Sequence, residues 1–249
     1  MITHTFLFLE KINKKKEQAI WAQNIPDWRT FLNTKTIKGI SPEKKHYYDR
    51  QIKQAQQALR EDNSSYFLNK LPTTETWRLY DYFKDNVCYL DIEINSLGKV
   101  ILVGIHDGNN NTNFFIHGAN LATSLIEKEL QKYKIIITFN GAAFDLPKLK
   151  KQLNINLTIP HIDLKPLCLK LNLKGGLKEI EHLLNLKRPT HLYGNPVELW
   201  KAFHASRDRE YLQLLLDYNR EDCENLQRIM DYCYTHLAAA LTKNLNNSK

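Results

Sequence analysis

The chain has 249 residues, 43% of them hydrophobic and 25% charged, which is the balance of a folded protein with room for one α/β domain and a small appendage. It starts without the basic stretch and apolar core of a secretory leader, and its longest apolar runs, around residues 100–105 and 135–137, are far too short to cross a bilayer. The four cysteines (Cys88, Cys168, Cys223 and Cys233) show no CxxC spacing, so reduced thiols in a cytoplasmic protein with no membrane attachment are expected.

Residues 1–75 read as a helical region. A short helix is expected over residues 17–22. Pro26 opens another, with Trp28, Phe31 and Leu32 as its buried face. Ser41 and Pro42 form a cap followed by proline at the first helical position, starting a helix that runs to about Arg60. The run Asp62-Asn63-Ser64-Ser65 breaks it. Residues 72–83 give one more helix, packed through Trp77 and Tyr80.

From residue 76 to about 240 the pattern changes to strands alternating with helices. Residues 87–94 and 100–106 read as strands joined by a tight turn at Leu97-Gly98, and residues 113–117 as a third. Their short connections make them antiparallel neighbours. An amphipathic helix over 121–132 precedes a strand over 134–139, and a helix follows from about Asp145. Residues 157–162 form a short fifth strand, which Pro160 assigns to a sheet edge. From Leu164 onward the chain is helical, with a frayed tail from about Leu241. A three-strand meander followed by strand–helix crossovers implies an α/β fold with a mixed five-stranded sheet flanked by helices.

Three segments carry chemistry. In YLDIEIN, Asp91 and Glu93 lie two apart on a strand and share one face with Val87 and Tyr89. Such a pair repels and holds a proton unless a cation neutralises it; the other reading is the exposed acidic end of an edge strand. In FNGAAFD, Asn140 and Asp145 bracket a loop between a strand and a helix, where Asp145 is either a site residue or a helix cap. In YNREDCENL, Tyr218 and Asp222 are spaced i, i+4 on one helix face; singly they read as a half-buried tyrosine and a surface acid. Carboxylates converging from separate elements make a hard oxygen site suited to Mg²⁺ or Mn²⁺, and two such ions side by side are a recurring device for cutting phosphodiesters.

Weaker signals accompany these. Gly175-Gly176 ahead of a helical run is either a phosphate-binding helix start or a turn. His161 and Asp163 are substrate contacts or, respectively, a structural histidine and a cap. Residues 1–80 hold fourteen Lys and Arg against eight Asp and Glu, which is +6 of the formal net charge of +8. A basic region beside an acidic cluster suits a polyanion.

YLDIEI, FNGAAFD and YNRED resemble the three exonuclease motifs of the DEDD group, tyrosine subtype, of the ribonuclease H-like superfamily. The longer run over residues 77–232, including VGIHDGNNNTNFFIHGANL and HIDLKPLCLKLNLKGGLKEIEHLLNLKRP, is similar to YprB-type predicted exonucleases. The resemblance implies a ribonuclease H-like three-layer fold. It implies a 3′→5′ exonuclease that acts on the 3′ end of a nucleic-acid strand with two Mg²⁺ or Mn²⁺ ions and releases nucleoside 5′-monophosphates. Asp91, Glu93, Asp145 and Asp222 would be the metal-binding acids, and Tyr218 would orient the attacking water. A nucleic-acid-binding protein that has lost turnover, or an endonuclease, are the alternatives on this fold. Residues 4–33 resemble a degenerate helix-hairpin-helix. Its turn, LEKINKKKEQ, lacks the family's glycine, so Asn13 would supply a left-handed conformation and Lys14, Lys15 and Lys16 would hold phosphate by charge.

Overall fold

A computed structural model describes residues 1–189, 192 and 195–247, and the chain divides into two compact units. One comprises Met1–Lys84, Thr158–Pro160 and Tyr234–Lys249; the other comprises Asp85–Leu157 and His161–Cys233. No described helix is long and apolar enough to cross a membrane.

The first unit is helical. Helix α1 (Lys14–Trp21) begins three residues before the expected start, because Asn13 accepts the Lys16 amide through its side chain and caps the helix. Asn13 is therefore extended rather than left-handed, and it is Lys11 and Asn24 that take positive φ, 62° and 60°. The segment LEKINKKKEQ runs from a turn directly into α1. Helix α2 (Trp28–Asn33) is capped by Asp27, and α3 (Pro42–Arg60) by Ser41 with Pro42 in its first turn. The expected helix over 72–83 is instead a 3₁₀ segment, Thr73–Leu79, followed by α4 (Tyr80–Phe83). Three threonines there are poor helix formers, and 3₁₀ geometry eclipses residues three apart. Glu75 and Arg78 consequently pair, at 2.9 Å. Arg78 also meets the buried Glu17 at 3.1 Å, and Glu17 accepts from Thr5 Oγ1 (2.6 Å) and the Phe6 amide (2.7 Å). This buried network is satisfied on every side, which is the condition for charged groups to stay in a core. Trp21 and Trp77 each have their ring centre 5.9 Å from the Arg78 guanidinium, and Trp28, Phe6 and Phe31 are among the most deeply buried side chains of the unit.

The second unit is a mixed sheet with helices on both faces. Its strands are β1 (Val87–Ile94), β2 (Val100–His106), β3 (Thr112–Ile116), β4 (Ile135–Thr138) and β5 (His161–Asp163), in the order β3-β2-β1-β4-β5. β1, β2 and β3 pair antiparallel, whereas β4 runs parallel to β1 and β5 parallel to β4. The sheet is the mixed five-stranded one expected. β5 is the edge that Pro160 foretold, but it starts after the proline rather than before it. A proline has no N–H for the ladder, and upstream of it the Thr158 carbonyl is taken by Ser65 Oγ at 2.8 Å.

The helices of this unit are α5 (Thr123–Leu130), α6 (Asp145–Leu153), α7 (Leu164–Lys170), α8 (Leu177–Leu183), α9 (Pro196–Ser206) and the part of α10 (Arg209–Asn247) up to Cys233, the rest of α10 belonging to the first unit. α10 stays helical to Asn247, past the expected fraying point. Strand alternation divides the sheet faces. Asp91, Glu93, Leu102 and Gly104 look toward α10, while Cys88 lies on the opposite face and feels the buried Glu129 of α5. Trp200 of α9 and Leu215 of α10 join Ile101 and Leu102 in one buried cluster, which seats α10 on the sheet.

Candidate metal centre

The site is built where β1 meets α10. Asp91 pairs with Gly104 across the β1–β2 ladder. A Cβ at position 104 would lie 1.8 Å from Asn219 Oδ1 and 3.4 Å from Cys223 Sγ. Glycine is required there because it lets α10 come down onto the sheet. The fully buried Asn219 then donates from Nδ2 to Asp91 Oδ2 at 2.8 Å, which fixes the orientation of that carboxylate. With α10 at this depth, Asp91, Glu93 and Asp222 each offer an oxygen, all within 4.8 Å of one another. Tyr218, 6% exposed, sits one helical turn before Asp222.

Asp145 reaches the area by another route. It is the first residue of α6, and Phe144, without a side-chain bond, is the cap, so the capping reading of Asp145 does not hold. The loop before it is braced from below. Asn140, at φ 62°, turns the chain, and the amides of Asn140 and Ala142 donate to the two oxygens of Asp163 at 2.7 and 3.1 Å. Asp163 also caps α7 by accepting the Lys165 amide. Thr138 Oγ1 accepts the Gly141 amide at 3.1 Å and pairs with His161 Nε2 at 2.8 Å. His161 and Asp163 are thus supports of the loop. Asp145 is only 3% exposed and lies outside the three-oxygen group, but its charge raises the proton affinity of both Asp91 and Glu93.

Burial is the largest influence on all four acids. Asp91 is raised well above the ordinary carboxylate range by burial and then by Asp222, Glu93 and Asp145. Burial, Asp222 and Asp145 push Glu93 up to about 8. Burial also brings Asp145 to about 7 against the opposing hydrogen bonds of the Asp145 and Ile92 amides. Asp222 rises to about 6 by burial, with the Arg188 charge opposing. These carboxyls crowd one another beyond what protein charges neutralise, which is the electrostatic condition that a divalent cation relieves. Hard carboxylate oxygens at this spacing fit Mg²⁺ or Mn²⁺ in donor type.

Several groups at the site were not anticipated. Arg188 grips Glu181 with two hydrogen bonds of 2.6 Å and also donates from Nη2 to Asp222 Oδ1. Asn225 Nδ2 supports Glu181 at 3.0 Å. Lys178 Nζ and the Arg188 guanidinium lie 4.7 and 5.3 Å from the centre of the Tyr218 ring. Of these, Gly104 carried a signal in the sequence, a lone glycine inside the apolar run VILVGIH. The approach of Arg188 to Asp222 spans 34 residues and had none.

Two weaker expectations meet different fates. The Gly176 amide is already taken by Glu179 Oε2 at 2.9 Å, and Gly175, at φ 126°, makes room for Glu179, so the glycine pair is a turn and not a phosphate cradle. Lys14, Lys15 and Lys16 form the exposed first turn of α1 in the helical unit, where Lys14 also pairs with Glu75 at 2.7 Å.

Residues 88–234 match the family model of the RNase H superfamily, a span that takes in Asp91, Glu93, Asp145, Tyr218 and Asp222. Comparison with curated proteins and with solved structures gives no significant match.

Proposed function

The chain belongs to the RNase H superfamily, and from that premise we propose that it is a metal-dependent 3′→5′ exonuclease of DNA or RNA. The observation that carries this reading is the convergence of Asp91, Glu93 and Asp222 within 4.8 Å. Superfamily membership points to phosphodiester hydrolysis, and the tyrosine one turn before the helical acid favours the exonuclease form of it.

In this reading Asp91, Glu93 and Asp222 hold one Mg²⁺ or Mn²⁺ ion, and Asp91 with Asp145 a second. The ions supply Lewis-acid stabilisation of the phosphoryl oxygens and lower the pKa of a bound water. The protein's own groups do the rest. Asn219 holds Asp91 in its ligating orientation, as outer hydrogen-bond partners of metal ligands do. The Tyr218 hydroxyl orients the attacking water, and Asn140 contacts the terminal nucleotide. The basic residues 1–80, Lys14, Lys15 and Lys16 among them, hold the strand through its phosphates. Nucleoside 5′-monophosphates leave from the 3′ end of a single strand. Four free, buried cysteines suit a reducing, cytoplasmic compartment.

Matched 3′-labelled and 5′-labelled DNA and RNA oligonucleotides, incubated with Mg²⁺ or Mn²⁺ beside a circular single strand, test the proposal. Mononucleotides released at once from the 3′ label, a receding ladder from the 5′ label and an intact circle are expected. A nicked circle would make the protein an endonuclease, and no hydrolysis of any substrate would leave it a binding protein.

A further inference from the structure

Among the described residues, three buried side-chain polar atoms lack a hydrogen-bond partner: Ser64 Oγ, Trp77 Nε1 and Arg188 Nη1. The first two belong to the helical unit, but Arg188 Nη1 belongs to a cation at the acid cluster. The rest of that guanidinium is held firmly. Glu181 takes Nε and Nη2 as a two-pronged pair, Asn225 fixes Glu181 from behind, and Nη2 is shared with Asp222. A buried donor left unmade costs the full desolvation of that group. Such a donor persists where the surrounding structure fixes it for another purpose.

We propose that Arg188 is a resident counter-ion of the carboxylate cluster that exchanges Asp222 for the scissile phosphate: anchored by Glu181, it releases Asp222 to a divalent cation and offers its Nη groups to the phosphodiester. The inference rests on the nuclease reading and adds to it a phosphate-contacting residue. The geometry suits the task. A guanidinium presents a planar fork that matches phosphate oxygens in pairs. Its anchor, Glu181, is not one of the three clustered carboxylates, so loss of the Asp222 contact leaves the side chain oriented. The same cation that pairs with Asp222 also competes with metal for it.

Two variants separate this role from a merely structural one. Each is titrated with Mn²⁺ by calorimetry without nucleic acid, and each is assayed for 3′-label release in Mn²⁺. Arg188→Met is expected to bind Mn²⁺ about tenfold more tightly, because the competing cation is gone. It is also expected to lose about 10²-fold or more in kcat, because a donor to the charged transition state is gone. Arg188→Lys keeps the charge and the Glu181 pair. It is expected to bind Mn²⁺ within about twofold of wild type and still to lose about tenfold or more in kcat, since an ammonium cannot reproduce the fork. If Arg188→Met does not fold, Arg188→Lys decides alone. Full activity in Arg188→Lys, or unchanged Mn²⁺ affinity together with unchanged kcat in Arg188→Met, would overturn the inference while wild-type hydrolysis leaves the nuclease reading standing. Should wild type itself release no nucleotide, the nuclease reading fails and the phosphate role falls with it; the calorimetric arm still reads whether Arg188 competes with metal.

Discussion

Asn219 and Asp91 stand 128 residues apart in the chain and are joined by a hydrogen bond of 2.8 Å, from the asparagine amide to one carboxylate oxygen. This bond links α10 to β1 at the point where Gly104 leaves room for it. It therefore aligns Asp91 with Asp222, which lies one turn further along the same helix. Asn219→Ala should lower metal affinity or turnover by about 10- to 100-fold, the usual effect of removing a partner of a metal ligand. Circular dichroism should remain that of wild type. Unchanged kinetics would mean that Asp91 needs no such support.

Gly104→Ala tests the same junction from the sheet side. A Cβ 1.8 Å from Asn219 Oδ1 cannot be accommodated unless the asparagine or the helix shifts. Overpacking of this kind costs about 1–3 kcal/mol. Chemical denaturation should report that loss, and the hydrolysis rate should fall with it. A variant as stable and active as wild type would show that α10 has slack over β2.

Asp91→Ala should abolish hydrolysis and leave the fold intact. In metal-free buffer its melting temperature should equal or exceed that of wild type, because one of four mutually repelling carboxyls has gone. Added Mn²⁺ should stabilise wild type and leave the variant little changed. A variant that melts well below wild type without metal would make Asp91 a structural residue.

The raised acids also fix the sign of a pH effect. Asp222, Asp145 and Glu93 keep protons up to about 6, 7 and 8 in the folded chain, against ordinary values of 3.8 for aspartate and 4.5 for glutamate. Between those limits the folded state binds more protons than the unfolded state, so stability falls as pH rises. His161, lowered to about 4 by burial from 6.5, works in the opposite direction below its ordinary value. The loss should therefore be clearest from about pH 6.5 to 8. Thermal melts of metal-free protein should fall across that window, and the stabilisation given by Mn²⁺ should grow across it as protons leave the ligands. A flat or rising melting temperature would contradict the raised carboxyl values.

Much of the site was legible because its acids follow local periodicities. Asp91 and Glu93 share a face by strand alternation, and Tyr218 and Asp222 by the helical turn. The mixed sheet followed from the meander and the crossovers. What escaped was tertiary. Arg188 reaches Asp222 from 34 residues away and Glu181 reaches Asn225 from 44, and no spacing along the chain encodes either contact. Local capping also moved boundaries: the Asn13 side chain brought α1 forward, and the Glu75–Arg78 pair suited a 3₁₀ turn where an α-helix was expected.

Tyr218→Phe separates water orientation from packing. The ring keeps its place beside Lys178 and Arg188, and only the hydroxyl is lost. Turnover should drop by roughly 10- to 1,000-fold with Mn²⁺ binding retained. A nearly silent substitution would leave Tyr218 a packing residue.

The account stands or falls on whether the carboxylate cluster hydrolyses phosphodiesters with a metal. Release of 5′-mononucleotide from a 3′-labelled single strand is the direct measurement, made in chelator, in Mn²⁺, and in Mn²⁺ with Asp91→Ala. Release in Mn²⁺ by wild type, and none in chelator or from the variant, is the predicted result. Release that survives the chelator or the Asp91→Ala substitution, or no release by wild type in Mn²⁺, would contradict it.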